Sequence, residues 1–420
     1  MKIGFHCWEF PPTIVGGLGT YAQCMTEALA ALEQELVVWA PDQEWAHSVA
    51  PVQSPRITVR RIPLFDATPM FPHVIAPDMQ AWGRFFSDIL TFNLLAAAET
   101  RQAAGLDLVA IQDWLSGITG MVLAKERRVP LVFHVHSAEW GRQPGGGSPL
   151  VSHLEGALQH EADAVITVSD AMREDLIAHG WSADKVHAVW NGVDPVRYRP
   201  DAVTPERAAV VRREYGIAAD EPLVLFVGRM TQVKGVHALV EAMPQVIAKN
   251  PRVRLVIVGK GELEEPVRER VRQLGIEEHV RLRYEFVNEE ERIAHYAACD
   301  VTVFPSTYEP FGIVTLESMA MGKATVAGAK DVVGFREQVV AQGPSQSGVH
   351  VDGASPHDIA WGLNEALEDR DRLQQWGANG RQRVLDAFTW AHSAQKTLAV
   401  YRQTVERFRG GAATAAGAIR

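Results

Sequence analysis

At 420 residues the chain is long enough for two or three domains, each with a core of its own. Apolar residues make up 47% and charged residues 22%, which excludes a disordered chain, and a net charge of -10 excludes a general attraction to nucleic acid or anionic lipid. Cys7, Cys24 and Cys299 have neither metal nor disulfide spacing and suit a reducing compartment. The opening M-K-I-G-F-H-C-W-E-F breaks its apolar run too early for a signal peptide, and no window reaches the roughly 20 apolar residues that span a bilayer, so a cytoplasmic protein is expected.

Short β-rich runs alternate with helix-period runs along the whole chain. Lys2 to Cys7 reads as a strand, Thr20 to Leu32 as a helix and Leu36 to Ala40 as the next strand. Further strands are predicted at Ile57–Ile62, Leu108–Ile111, Leu131–Val135, Ala164–Val168 and Lys185–Val189. A second series begins at Leu223–Val227 and continues at Arg254–Val258, Val280–Arg283, Asp300–Phe304 and Ala324–Ala327. This alternation predicts an α/β chain with parallel sheets covered by helices on both faces. The Gly/Pro-marked stretch Asn191–Asp201 divides the series into two Rossmann-like domains, 1–192 and 193–390, with a ligand cleft between them. A last helix is predicted at Ser393–Phe408, and a disordered tail from Gly410.

The densest chemical signal is E-P-F-G-I-V-T-L-E, Glu309 to Glu317, which follows one strand and opens a helix. Gly312 lets a ligand approach the backbone, and the amides of Gly312, Ile313 and Val314 would leave the helix N-terminus, where an anion is favoured. Phe311 and Thr315 belong to the same contact set. A phosphate held between two carboxylates that accept hydroxyl hydrogen bonds describes a nucleotide-sugar site; the alternative is an ordinary helix with surface acids. Breaking a bond to a diphosphate builds negative charge on phosphate oxygens, which fixed cations stabilise. Arg229 and Lys234, in V-G-R-M-T-Q-V-K-G, suit this chemistry, since Arg grips through two N–H bonds and Lys supplies a point charge.

In the first domain, V-G-G-L-G-T-Y allows Gly16 and Gly17 to present backbone amides to the diphosphate. Gly17-x-Gly19-x-x-Ala22 with Asp42 also fits a dinucleotide fingerprint, although these glycines lie well beyond the strand end. His136 follows a strand, and His134, two residues earlier, is expected to face away from it. A His-x-His zinc pair would need a third ligand that the sequence does not supply. Asp369-Arg370-Asp371, the one Asp-x-Asp, sits in a charged helical run and reads as surface; no metal is expected. Asp113 beside Trp114 suits carbohydrate, which offers hydroxyls and an apolar ring face, and Glu9 is placed on the same acceptor side.

Glu309 to Glu317 resembles the E-x7-E signature of retaining glycosyltransferases of the glycogen synthase, sucrose-phosphate synthase and bacterial mannosyltransferase group (glycosyltransferase family 4-like). Arg229 and Lys234 match that group's G-R-x5-K-G pattern, His136 its T-x-H position, and Asp113-Trp114 the H-D-W of glycogen synthases. The resemblance implies a GT-B fold whose last helix, 391–409, crosses back to the first domain. It also implies that Glu309 contacts the donor sugar, Glu317 the ribose, and Phe286 and Val287 the base. The expected reaction is metal-independent transfer, without cofactor, of a hexosyl unit (glucosyl foremost) from a UDP- or ADP-linked sugar to a soluble sugar or α-glucan. Gln112 replaces the histidine of H-D-W, Ile14 stands where larger bacterial glycogen synthases carry lysine, Val333-Gly334 replaces a glycine pair, and Glu285 replaces a glycine before the base loop. These departures leave base and acceptor open. A lipid-linked acceptor, for which only Arg56, Arg60 and Arg61 cluster, and a nucleotide-sugar epimerase remain as alternatives.

Overall fold

A computed structural model describes every residue except 44–46, 76–81, 127, 144, 146 and 418–420. The chain forms two compact units: the first holds Met1–Val168, Arg173–Trp190 and the segment from Trp390 onward, the second Ser169–Met172 and Asn191–Thr389.

The first unit is built on a seven-stranded sheet. Its parallel strands are β1 (Lys2–His6), β3 (Glu35–Pro41), β5 (Ile57–Ile62), β6 (Leu108–Gln112), β7 (Leu131–Val135), β8 (Ala164–Thr167) and β9 (Val186–Ala188). Strands β6 and β7 are buried along their full length, which is why they read as continuous apolar runs and not as alternation. A two-residue ribbon, β2 (Thr13–Ile14) with β4 (His47–Ser48), was not foreseen, being too short for any period. The sheet order is β5-β3-β1-β6-β7-β8-β9, so the direction of winding reverses between β1 and β6.

The second unit carries β10 (Leu223–Val227), β11 (Arg254–Val258), β12 (Val280–Arg283), β13 (Val301–Phe304), β14 (Ala324–Gly328) and β15 (Gly348–Val351). Their order, β12-β11-β10-β13-β14-β15, is the doubly wound arrangement, with its reversal between β10 and β13. β15, a four-residue G-V-H-V led by glycine, is not among the strands expected from the sequence.

The final helix spans Trp390–Gly417 and belongs to the first unit, where it packs on the helix Gly17–Ala31. It runs past Gly410, where a disordered tail was expected; Ala412, Ala413, Ala415 and Ala416 are strong helix formers. Its anchor is Tyr401, fully buried, whose hydroxyl lies 2.8 Å from His134 Nε2 while the Tyr21 hydroxyl lies 3.1 Å from Nδ1. Burial holds His134 well below the usual histidine range, so the ring is neutral, donating to one tyrosine and accepting from the other. The His134 and His136 rings stand 6.4 Å apart and both meet Tyr21, contrary to the expectation that they face apart. Residues two apart on a strand share a face. Replacing Tyr401 with Phe leaves a buried ring nitrogen unpaired and should lower stability by about 1–3 kcal/mol. Urea unfolding tests this: the midpoint falls, and an unchanged midpoint would show that the contact does not anchor the helix.

Candidate active site

In open α/β sheets ligands gather beyond the C-terminal strand ends where winding reverses. In the second unit that point is occupied by the loops after β10 and β13. Gly228 N–H donates to Val258 O at 3.1 Å and Met230 N–H to Lys260 O at 2.7 Å, so the G-R-M loop is fastened to V-G-K-G after β11. Arg229 lies between these two bonds, exposed and without a hydrogen-bond or ion-pair partner among the described residues.

The chain then turns through Gln232–Lys234 into Gly235, at φ +68°, where a Cβ would lie 1.9 Å from Pro305 O. Only glycine permits that approach. Thr307 N–H donates to Val233 O at 2.9 Å, and the turn lies directly on the chain leaving β13. Lys234 Nζ meets Glu309 Oε2 there as an ion pair, with the two side chains 17% and 12% exposed. From its other side Glu309 is gripped by the backbone: its N–H donates to Val332 O at 2.9 Å, and Gly334 N–H donates to its carbonyl at 2.8 Å. Val333-Gly334, the departure from a glycine pair, thus holds the Glu309 backbone in place. Glu337 binds the Ala171 and Asp170 amides at 2.6 and 3.0 Å.

The helix Ile313–Ala320 begins just beyond. Gly312 caps it at φ +82°, where a Cβ would fall 2.1 Å from the Phe335 ring and 2.9 Å from Glu309 Cγ. No side chain caps this helix and its first turn holds no acid, which leaves its N-terminal amides open to an anion. Gly312, Ile313 and Val314 are partly exposed, and the buried Thr315 hydroxyl has no partner among the described residues. Phe311 differs from expectation: it is buried against Phe388, with its carbonyl accepting from Gln338 at 2.7 Å, and packs the loop.

Glu317 also differs. Its Oε1 accepts from the Tyr198 hydroxyl at 3.0 Å and Arg292 Nη2 at 3.1 Å; its Oε2 accepts from Arg292 Nε at 3.0 Å and the Tyr296 hydroxyl at 3.0 Å. At 5% exposure it pins the helix to the linker and to the helix Glu289–Ala298, and a ribose contact would have to displace one of these donors. Of the two base neighbours, Phe286 is 52% exposed and Val287 is buried, so only Phe286 offers a ring to a ligand. Glu285 pairs with Arg283. Two features of the site were not expected from the sequence: the loop Gly259-Lys260-Gly261, whose V-G-K-G echo of V-G-R-M was the available signal, and the Tyr198–Arg292–Tyr296 cluster, which left none.

In the first unit the reversal lies between β1 and β6. Glu9, expected on the acceptor side, instead accepts through Oε2 from the amides of Val15 at 2.8 Å and Gly16 at 2.9 Å. It braces the glycine loop, and the Gly16 amide expected for the diphosphate is engaged; Gly17 opens the helix with no acid in its first turn. Asp113, 7% exposed at the strained φ of 55°, accepts from the His136 amide through Oδ1 at 2.9 Å. His136 Nε2 lies 3.1 Å from Gln112 Oε1, so the glutamine that replaces a histidine orients this ring. Burial, partly offset by Asp113, lowers the His136 pKa and keeps the imidazole neutral.

Behind this pair, Arg142 donates to Ser137 O and Oγ at 2.7 Å, to Glu139 at 2.9 Å and to Glu155 at 2.8 Å. Burial pushes Glu155 up to about 7, with Arg142 opposing. The folded state therefore holds a proton that the unfolded chain releases near 4.5, and this contribution is lost as pH rises through 7. Between about pH 4.5 and about pH 7 the thermal midpoint of the wild type should fall relative to Glu155→Gln, which cannot ionise, and the two should run parallel at higher pH; parallel curves throughout would contradict the assignment. Gly235→Ala and Gly312→Ala should each displace the Glu309 seat and cut turnover at least about tenfold with circular dichroism retained, since small misplacements at a reacting centre are costly. Full activity in either would show that the seat is not needed.

Residues 16–192 match the glycosyl transferase 4-like domain and residues 209–383 match the glycosyl transferases group 1. The chain is 32% identical to alpha-maltose-1-phosphate synthase of Mycolicibacterium smegmatis, over 96% of this chain and 99% of that one. It is 28% identical to glycogen synthase of Mycobacterium tuberculosis, over 96% and 94%. Among solved structures it resembles sucrose-phosphate synthase of Thermosynechococcus elongatus, with a TM-score of 0.75 and 25% identity over 96% and 98% of the chains. It shares the fold of the catalytic domain of starch synthase IV of Arabidopsis thaliana bound to ADP and acarbose, with a TM-score of 0.75 at 17% identity over 96% and 99%. The two parallel-sheet units, the two matched regions and these full-length likenesses agree: the chain belongs to the group 1, 4-like glycosyltransferases and has the GT-B fold.

Proposed function

We propose that the chain moves a hexosyl unit, glucosyl foremost, from a UDP- or ADP-linked sugar to a soluble carbohydrate with retention of configuration, in the cytoplasm and without a metal. The observation that carries this reading is the Lys234–Glu309 pair next to an uncapped helix N-terminus, with the exposed and unpartnered Arg229 on the loop after β10. Arg229 and the amides of Gly312, Ile313 and Val314 receive the diphosphate. Phosphate oxygens compete with Glu309 for Lys234, so donor binding moves the lysine's charge towards the leaving group and releases the carboxylate to the sugar hydroxyls. Charge developing on the departing diphosphate then meets cations and dipoles already in place.

A double displacement would need a nucleophilic carboxylate about 5 Å from an acid partner. Glu309 is paired with a lysine instead, and a departure and attack on one face, with the leaving phosphate taking the acceptor's proton, requires no such pair. Asp113 and the neutral His136 position the acceptor. The carbohydrate activities named for the relatives support this reading, and the ADP named with starch synthase IV supports the donor class.

Nucleoside diphosphate release from UDP-glucose or ADP-glucose, with and without a maltooligosaccharide, tests it. Release should depend on the acceptor, persist in EDTA, and fall by about 10²–10³ in Arg229→Ala and Glu309→Gln while both remain folded. Full activity in both variants, or loss in EDTA, would contradict the mechanism.

A further inference from the structure

We infer that the acceptor is an uncharged oligosaccharide and that Trp82 and Phe85 form an outer subsite for it, an inference that rests on the transferase reading above. The helix Gly83–Gln102 connects β5 to β6 and runs back against the strand direction, so its first turn lies at the C-terminal end of the sheet. Trp8 and Glu9 leave β1 at the same end, and Asp113 and Trp114 leave β6 there.

The aromatic rings are linked outward from Asp113. Trp82 meets Trp114 edge-on at 5.9 Å and 80°, stacks with Phe85 at 6.3 Å and 21°, and Phe85 meets the edge of Trp8 at 6.1 Å and 86°. Trp8 is 3% exposed and forms the floor, whereas Phe85 is 46% exposed. A pyranose presents an apolar C–H face and a rim of hydroxyls; rings cover the former and a carboxylate such as Asp113 binds the latter. The strained Asp113 marks the inner end for the reacting sugar, which leaves Trp82 and Phe85 for the next unit of a chain.

Charge selects against a phosphorylated acceptor. A phosphate is best gripped by an arginine with free N–H groups, which can bind it through two parallel bonds. Arg84 is bonded to Asp88 at 2.6 Å with Asp66 at 3.9 Å, and Arg142 is held by Glu139, Glu155 and Ser137. Arg61 donates to the Pro41 and Phe10 carbonyls at 3.2 and 3.0 Å. These three arginines are thus already engaged, the first two by carboxylates.

The test compares glucose, glucose 1-phosphate and maltooligosaccharides of increasing length as acceptors for the wild type, Phe85→Ala and Phe85→Tyr. In the wild type, kcat/KM rises from glucose to the longer oligosaccharides and glucose 1-phosphate is the poorer acceptor. Phe85→Ala loses about tenfold with the longer acceptors, through KM, and little with glucose; Phe85→Tyr keeps the wild-type pattern. Preference for glucose 1-phosphate, or an equal loss at every length, overturns the proposal. Quenching of tryptophan fluorescence by maltohexaose without donor reads the subsite independently of catalysis. Quenching in the wild type that weakens in Phe85→Ala upholds the subsite even if no transfer is found, and its absence overturns the subsite even if transfer occurs.

Discussion

The candidate site of the second unit is organised around one ion pair, Lys234 with Glu309, held largely out of solvent. Two largely desolvated charges stay in register only when the backbone fixes both, because neither can be left unpaired cheaply. Here the fixing is tightest on the lysine side, where Gly235 lets the turn lie against Pro305 O. On the glutamate side, two main-chain hydrogen bonds to Val332 and Gly334 fix the backbone from which the carboxylate extends. Phe335 and the Glu309 side chain both pack closely against Gly312, which brings the helix N-terminus and the glutamate together.

That rigidity gives the pair its chemical use. On the proposed reading, an anion arriving at the helix N-terminus would find Arg229 unengaged and Lys234 already oriented, and the exchange of Lys234 between carboxylate and phosphate would cost little reorganisation. The first unit is organised differently: its carboxylates are occupied by backbone amides, Glu9 with the glycine loop and Asp113 with His136, and they shape loops as much as they meet ligands. Strain at Asp113 and an imidazole kept neutral by burial are tolerated at the same strand ends.

Much of this was legible in the sequence because it is local. The runs 131–135, 223–227 and 254–258 carry their burial in nearly unbroken apolar residues, and the spacing of Arg229, Lys234 and Glu309 survives as letters. What escaped was set by partners distant in sequence. Glu317 looks like a ligand-binding acid until Tyr198, 119 positions away, and Arg292 are seen to fill its acceptor capacity. Glu9 likewise shows no sign of bracing Val15 and Gly16 until the loop is folded. β15 and the ribbon β2–β4 were too short to display a period, and the last helix outran a glycine pair through its alanines.

Calorimetric titration of UDP and ADP against Arg229→Ala tests the central claim most directly. If the crevice between β10 and β13 grips the diphosphate, affinity falls by about tenfold or more relative to the wild type, as expected for loss of a charge-assisted contact. Wild-type affinity in that variant would place the diphosphate elsewhere.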